Sequence, residues 1–314
     1  MTRALAIAND PVVEEAATEF LGANGSATGA VLCGFFAAAG AYAGVLLGPV
    51  SVLAAGVGAG ARAFDGRLRQ PGLGTRRPRG FKADEEVPDE ARVAVPASIP
   101  AALVAHAYDG GHSLASIVKP GISRAQRAGA AARASLLRLV RTGGAGAFTD
   151  VSFVRPLLRV AGPSQGGLLT TTDFSQVPDV DHEATLRDGL YEPPWAEEGA
   201  ATDTTELGVG CAVCAVDVRG NFAALSYRRL VDGFLLEDLE LEAPLAAVPV
   251  KRGVARVAPG APLSAPAPIA IRTDGAGAIV EVLAAPNAAR LDVATAPFVL
   301  RRSASSKQVE ALRR

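Results

Sequence analysis

From residue 20 to residue 61 the chain carries no charged side chain. An uncharged run of this length belongs either in a bilayer or in a protein interior, so it restricts the fold more than any other feature. Its length would permit a membrane span, which needs about 20 apolar residues. Its composition argues for the interior, because alanine and glycine dominate it and both gain little on transfer to hydrocarbon. Gly48-Pro49 also divides the run. Residues 27–47 read as a helix and residues 50–64 as a buried strand with a turn after it. An Ala-rich helix packed closely against a sheet accounts for both halves.

The flanking sequence extends this picture. Residues 12–21 place acidic side chains early and apolar ones at helical spacing, and Gly22-Ala23-Asn24-Gly25-Ser26 breaks that helix and caps the next. Residues 67–90 are rich in Arg, Gly and Pro and read as an extended loop, followed by a short strand over 92–96. Helices are expected over 100–108, 113–119 and 122–140. Residues 176–203 are acidic and contain Pro178, Pro193 and Pro194, which suggests a surface linker between regions 1–175 and 204–314 of one compact domain. Beyond it, residues 211–217 and 222–229 form an expected hairpin about Val218-Arg219-Gly220-Asn221. Further strands are expected near 269–272 and 278–283. Helices first and strands later indicate an α+β fold with helices layered on sheet.

Several classes of function are disfavoured. With 31 basic and 32 acidic residues the net charge is -1, which gives no basic surface for nucleic acid. The three cysteines, Cys33, Cys211 and Cys214, are too few for a disulfide framework. His106, His112 and His182 are widely spread, so neither a metal site nor a cofactor is expected. Cys211-Ala212-Val213-Cys214 has a metal or redox spacing but lacks a second ligand pair. Asp10, Glu14 and Glu15 precede any apolar run, unlike a signal peptide. A cytoplasmic location is expected, and the sequence leaves homo-oligomerisation open.

The order of the motifs resembles the gamma-glutamyltranspeptidases. Gly25-Ser26-Ala27-Thr28-Gly29-Ala30-Val31, the Ala-rich helix, Gly56-Val57-Gly58-Ala59-Gly60 and Asp65-Gly66-Arg67 are similar to that family's opening helix, Gly-rich strand and Asp-Phe-Arg-Glu motif. Val93-Ala94-Val95-Pro96, then Val118-Lys119-Pro120-Gly121, resembles its Val-Pro-Gly segment and the helix after it. Gly166-Gly167-Leu168-Leu169-Thr170 with Asp173-Phe174 resembles its Gly-Gly-Leu-Ile-Thr stretch. In the later half, Asp217-Val218-Arg219-Gly220-Asn221 looks like the small-subunit hairpin, and Ala258-Pro259-Gly260-Ala261-Pro262-Leu263-Ser264 looks like the segment carrying the oxyanion loop. The resemblance implies a four-layer αββα N-terminal-nucleophile (Ntn) hydrolase fold. It also implies an amidohydrolase or acyltransferase acting on a small carboxylate-bearing amide.

In that family an internal residue becomes the nucleophile after self-cleavage, and its freed amine serves as base. Thr204 and Thr205 match the residue types around the cleavage point but lie too far from Asp217. Cys211 follows Gly210 at nearly the right spacing, one residue closer to Asp217 than a gapless register requires, and a thiol is a strong nucleophile. Against both stands the ordinary buried core cysteine, with no nucleophile in the chain.

The resemblance further implies Arg67, Asn221, Ser264 and Asn287 as substrate-binding residues. Arg67 matches a carboxylate-binding Arg, and a guanidinium fork suits that task. Asn221 reads first as a turn residue tolerating a left-handed backbone. Ser264 is followed by Ala265 where the family has a second Ser, Pro286-Asn287-Ala288 replaces the Gly-Gly oxyanion pair, and Arg228 replaces a hydroxyl beside the nucleophile. Three readings follow: an Ntn amidohydrolase, a non-catalytic binding or scaffold relative, and, more weakly, a membrane-associated protein.

Overall fold

The computed structural model describes residues 4–56, 60–76, 79–197, 207–263, 266–274, 276–302 and 308–314. Helix α1 (Pro11–Gly22) begins with Asp10, whose carboxylate accepts from the Val12 N–H, and with Pro11 in the first turn. Helix α2 (Ala27–Ala41) begins with the Ser26 hydroxyl accepting from the Gly29 N–H, and all of it up to Gly40 is buried. It ends short of residue 47 because Tyr42 turns extended, and turns then lead into the strand Val50–Ala55. Further helices are α3 (Ser98–Asp109), α4 (Leu114–Arg127), α5 (Ala131–Gly143) and α6 (Val151–Ala161). The single helix expected over 122–140 is divided between α4 and α5, where Gly129 takes a left-handed φ of 74°.

The Ala/Gly texture of α2 has a packing reason. A Cβ on Gly40 would lie 2.0 Å from the Gly121 carbonyl oxygen, and one on Gly121 would lie 2.2 Å from that of Phe36. Helices α2 and α4 therefore touch backbone to backbone, at a separation that only glycine permits. No helix among the described residues is long and apolar enough to cross a membrane.

Two six-stranded sheets support this helix layer. The first runs in the order Leu5–Ala8, Val209–Val216, Phe222–Arg229, Val50–Ala55, Ala61–Gly66, Asp181–Glu183. The second runs Val309–Arg313, Phe298–Arg302, Ile279–Ala284, Ile269–Thr273, Leu190–Glu192, Thr185–Arg187. Along Val209–Val216 the side chains alternate as strand geometry requires. Cys211, Val213 and Ala215 face the helices, whereas Ala212, Cys214 and Val216 face the second sheet. The outer face of the second sheet, with Ala270, Leu283 and Val299, is covered by Ala296, Leu291 and Val293 from the turns after Ala284. Helix, sheet and sheet thus form an α+β sandwich.

The segment read as a surface linker has a structural part instead. Its residues Asp181–Glu183 close the edge of the first sheet, and Thr185–Arg187 with Leu190–Glu192 extend the second. Trp195 is buried and donates from Nε1 to the Ser51 hydroxyl at 2.9 Å.

Candidate active-site cleft

Between the sheets, polar residues gather at one end of the long strands. Ala212, Ser226, Ser51 and Asp65 are successive cross-strand neighbours on the face toward the second sheet. Three inter-strand spacings separate the first from the last, about 14 Å. Asp65 is buried and holds Arg67 through both carboxylate oxygens, Nε at 3.0 Å and Nη2 at 3.1 Å. Arg69 Nη2 also reaches Asp65, at 2.8 Å. The Arg67 guanidinium lies 4.9 Å from the centre of the Trp195 ring. Arg67 thus lies at this end of the first sheet, with its fork turned onto Asp65 and Trp195.

At the other side of this end, Gly210 pairs with Arg228. Arg228 is buried, and its Nη1 donates to the Gly208 carbonyl at 3.2 Å. The segment after Ala284 crosses directly over Gly210. A Cβ added there would lie 1.7 Å from the Pro286 carbonyl oxygen and 3.3 Å from Asn287 Oδ1. Asn287 therefore joins Gly210 and Arg228. Asn221 does not, because it lies in the hairpin turn at the opposite end of the strands, about 20 Å away. There its amide donates to Asp217 Oδ2 at 2.8 Å, and the left-handed backbone falls on Gly220, φ 86°, rather than on Asn221. Thr204, Thr205 and Ser264 lie outside the described residues.

Cys211 points to the other face of the sheet. Its thiol is buried beside Tyr227, its cross-strand partner, and donates a long contact of 3.8 Å to the Val209 carbonyl. The Tyr227 hydroxyl is fully buried, and the Cys211 thiol lies against it. Asp10 borders it, accepting from the Tyr42 hydroxyl at 3.5 Å with Arg229 Nη1 at 4.0 Å. Burial pushes the Cys211 thiol above its ordinary pKa, chiefly by desolvation. Cys214, on the opposite face, is pushed up by burial alone, and the two cannot ligate a common ion. No cluster of three or more His, Cys, Asp or Glu suited to a metal occurs among the described residues.

Structural comparison fits this architecture. Cephalosporin acylase from Bacillus halodurans superposes with a TM-score of 0.64 at 11% identity, over 88% of this chain and 76% of that one. The fold is that of the Ntn hydrolases. A structure of LmbA2991HD matches with a TM-score of 0.59 at 14% identity, over 90% of this chain and 78% of that one. Helicobacter pylori gamma-glutamyltranspeptidase matches 55% of this chain and 64% of its own, at 18% identity and a TM-score of 0.46. No protein-family model matches the sequence, and no curated protein matches it either.

Within this Ntn-hydrolase fold, one residue absent from the sequence-based candidates is central to the Gly210-Cys211 junction. Asn9, just past the edge strand, donates from Nδ2 to the Gly210 carbonyl at 2.9 Å and accepts from the Ala212 N–H at 2.9 Å. Its side chain continues the ladder begun at Ala8 and Val213. The Asn9-Asp10-Pro11 start of α1 was a readable cap signal, but nothing in it points to residue 210.

The buried thiols give a direct test. Alkylation requires thiolate, so native protein at about pH 8 should leave all three cysteines unmodified by iodoacetamide, and unfolded protein should take up the label on each. Burial raises the Cys33 pKa from 9.0 to about 12. That thiol's contribution to stability is complete below pH 9.0 and is lost as pH rises toward 12. A lower urea midpoint at about pH 10.5 than at about pH 8 is the expected sign.

Proposed function

We propose that this chain is a non-catalytic relative of the Ntn amidohydrolases, an uncleaved protein that binds a small molecule on an inherited enzyme scaffold. The observation that carries this reading is Gly210. In the gapless register the nucleophile would stand at residue 210, across from Arg228, and that position has no side chain. The Pro286 carbonyl occupies the space a nucleophile would need. Cys211 projects into the helix-facing core, away from Arg67, Arg228 and Asn287, and its raised pKa keeps it protonated.

One observation favours a catalytic reading, in which the chain self-processes at Cys211 and acts as a gamma-glutamyl-type hydrolase or acyltransferase. Asn9 polarises the Gly210 carbonyl, as cleavage of the Gly210–Cys211 bond would require. The same side chain, however, accepts from the Ala212 N–H and so holds the backbone on both sides of Cys211 in the strand ladder.

A gamma-glutamyl anilide and a cephalosporin, offered as amide substrates, separate the two. No turnover above the buffer rate is expected. Turnover of either would overturn the proposal, and its loss in Cys211→Ala would assign the nucleophile.

A further inference from the structure

A cavity of about 480 Å³ opens where the loop after Gly66 meets the start of α3 and the turns at 172–179. Its size suits a small organic ligand. Val95, Pro96 and Phe148 form an apolar floor, and all three are buried, so the floor is continuous with the core. Leu73 and Val177 line the same cavity and are each 37% exposed. Two large apolar side chains are thus left partly in water at one opening, as they are where an apolar ligand is to be covered.

The buried polar groups of the wall are engaged by the protein itself. The Gln70 amide donates to the Val248 carbonyl and accepts from the Val248 N–H, both at 2.9 Å. The Asp173 carboxylate accepts from the N–H groups of Gly72, Leu73 and Thr170 and from the Thr170 hydroxyl. Arg69 Nη2 donates to Asp65 at 2.8 Å. Asp173 and Arg69 therefore place charges of opposite sign in one wall, each held by protein partners. A charged ligand of either sign would meet a like charge there, and it would also surrender its hydration. An uncharged ligand avoids both costs and gains from the apolar floor. That floor is aromatic in part, because Phe148 is held between Phe153 and Phe174, with ring centres 6.3 Å and 5.4 Å away. A fixed ring favours an aromatic partner beyond the area it buries.

We propose that this cavity binds a small uncharged molecule with an aromatic body, seated on Val95, Pro96 and Phe148 and covered at its edge by Leu73 and Val177. The inference rests on the reading of the chain as a small-molecule binder and not on the state of the Gly210–Cys211 bond. Equilibrium dialysis of the full chain against β-naphthol at neutral pH tests it, with β-naphthoate as the anion and β-naphthylmethylammonium as the cation. Dialysis reads binding alone, so its failure is distinct from that of the uncleaved, non-catalytic reading, which turnover tests. β-Naphthol should saturate one site with a Kd below about 1 mM, and both charged analogues should bind at least about tenfold more weakly. Leu73→Asp and Val177→Asp each put a charge at a partly exposed lining position. Each should weaken β-naphthol at least about fivefold while leaving the circular dichroism unchanged. Absence of saturation, a charged analogue binding as well as β-naphthol, or affinity indifferent to either variant would each overturn the proposal.

Discussion

Gly121→Val is expected to lower the unfolding free energy by roughly 3–5 kcal/mol, or to prevent soluble expression. In an exposed helix a valine would cost little relative to glycine, because glycine is itself a poor helix former. Here the new Cβ would meet the Phe36 carbonyl oxygen at 2.2 Å and Leu137 Cδ1 at 3.4 Å. The leucine can rotate away, but the carbonyl belongs to the backbone of the buried helix α2 and cannot. Relief requires α2 and α4 to separate, which opens the tightest contact in the helix layer. Gly22→Ala is the control. It lies at the exposed end of α1 with nothing within 4 Å of the added carbon, and should be neutral or slightly stabilising. Urea midpoints of the two variants measure the contrast, and equal midpoints would refute close backbone packing of α2 on α4.

Asp65→Ala should cost about 3–5 kcal/mol, the range for removing one partner of a buried ion pair. Asp65 has 2% of its side chain exposed, Arg67 8% and Arg69 15%, so solvent offers little compensation. The loss would leave two guanidinium groups facing each other beside Trp195. A double variant, Asp65→Leu with Arg67→Met, should recover part of the loss, since apolar residues of similar volume substitute well for buried ion pairs. Thermal denaturation of Asp65→Leu, Arg67→Met and their double variant gives the coupling, and additive effects would argue that the pair does not act as a unit.

The fold was legible because its main signals are local. The uncharged run, the Ser26 cap and the Val218-Arg219-Gly220-Asn221 turn each act within a few residues, and each lies where expected. What the sequence concealed is set by long-range contact. Residues 181–192, acidic and proline-flanked, gain their strand character from the sheet edges they complete, whereas the break at Gly129 is a local left-handed turn inside an Ala-rich run whose composition made the helix read as continuous. The candidate site was only partly readable for the same reason. Arg67 and Asn287 lie at the same end of the first sheet, whereas spacing alone could not tell which of Cys211 and Gly210 faces the second sheet. A one-residue shift in register exchanges the faces, and that shift separates a nucleophile in the cleft from a thiol in the core. The contacts of Asn9 with residues 210 and 212 lie some two hundred positions away in sequence and leave no local trace.

The central claim is that the peptide bond before Cys211 stays intact. Mass spectrometry of the purified chain, fresh and after prolonged incubation at neutral pH, tests it most directly. A single species at 31.9 kDa is the expected result. A pair of fragments divided between Gly210 and Cys211, or just before Thr204 or Thr205, would contradict it and restore the catalytic reading.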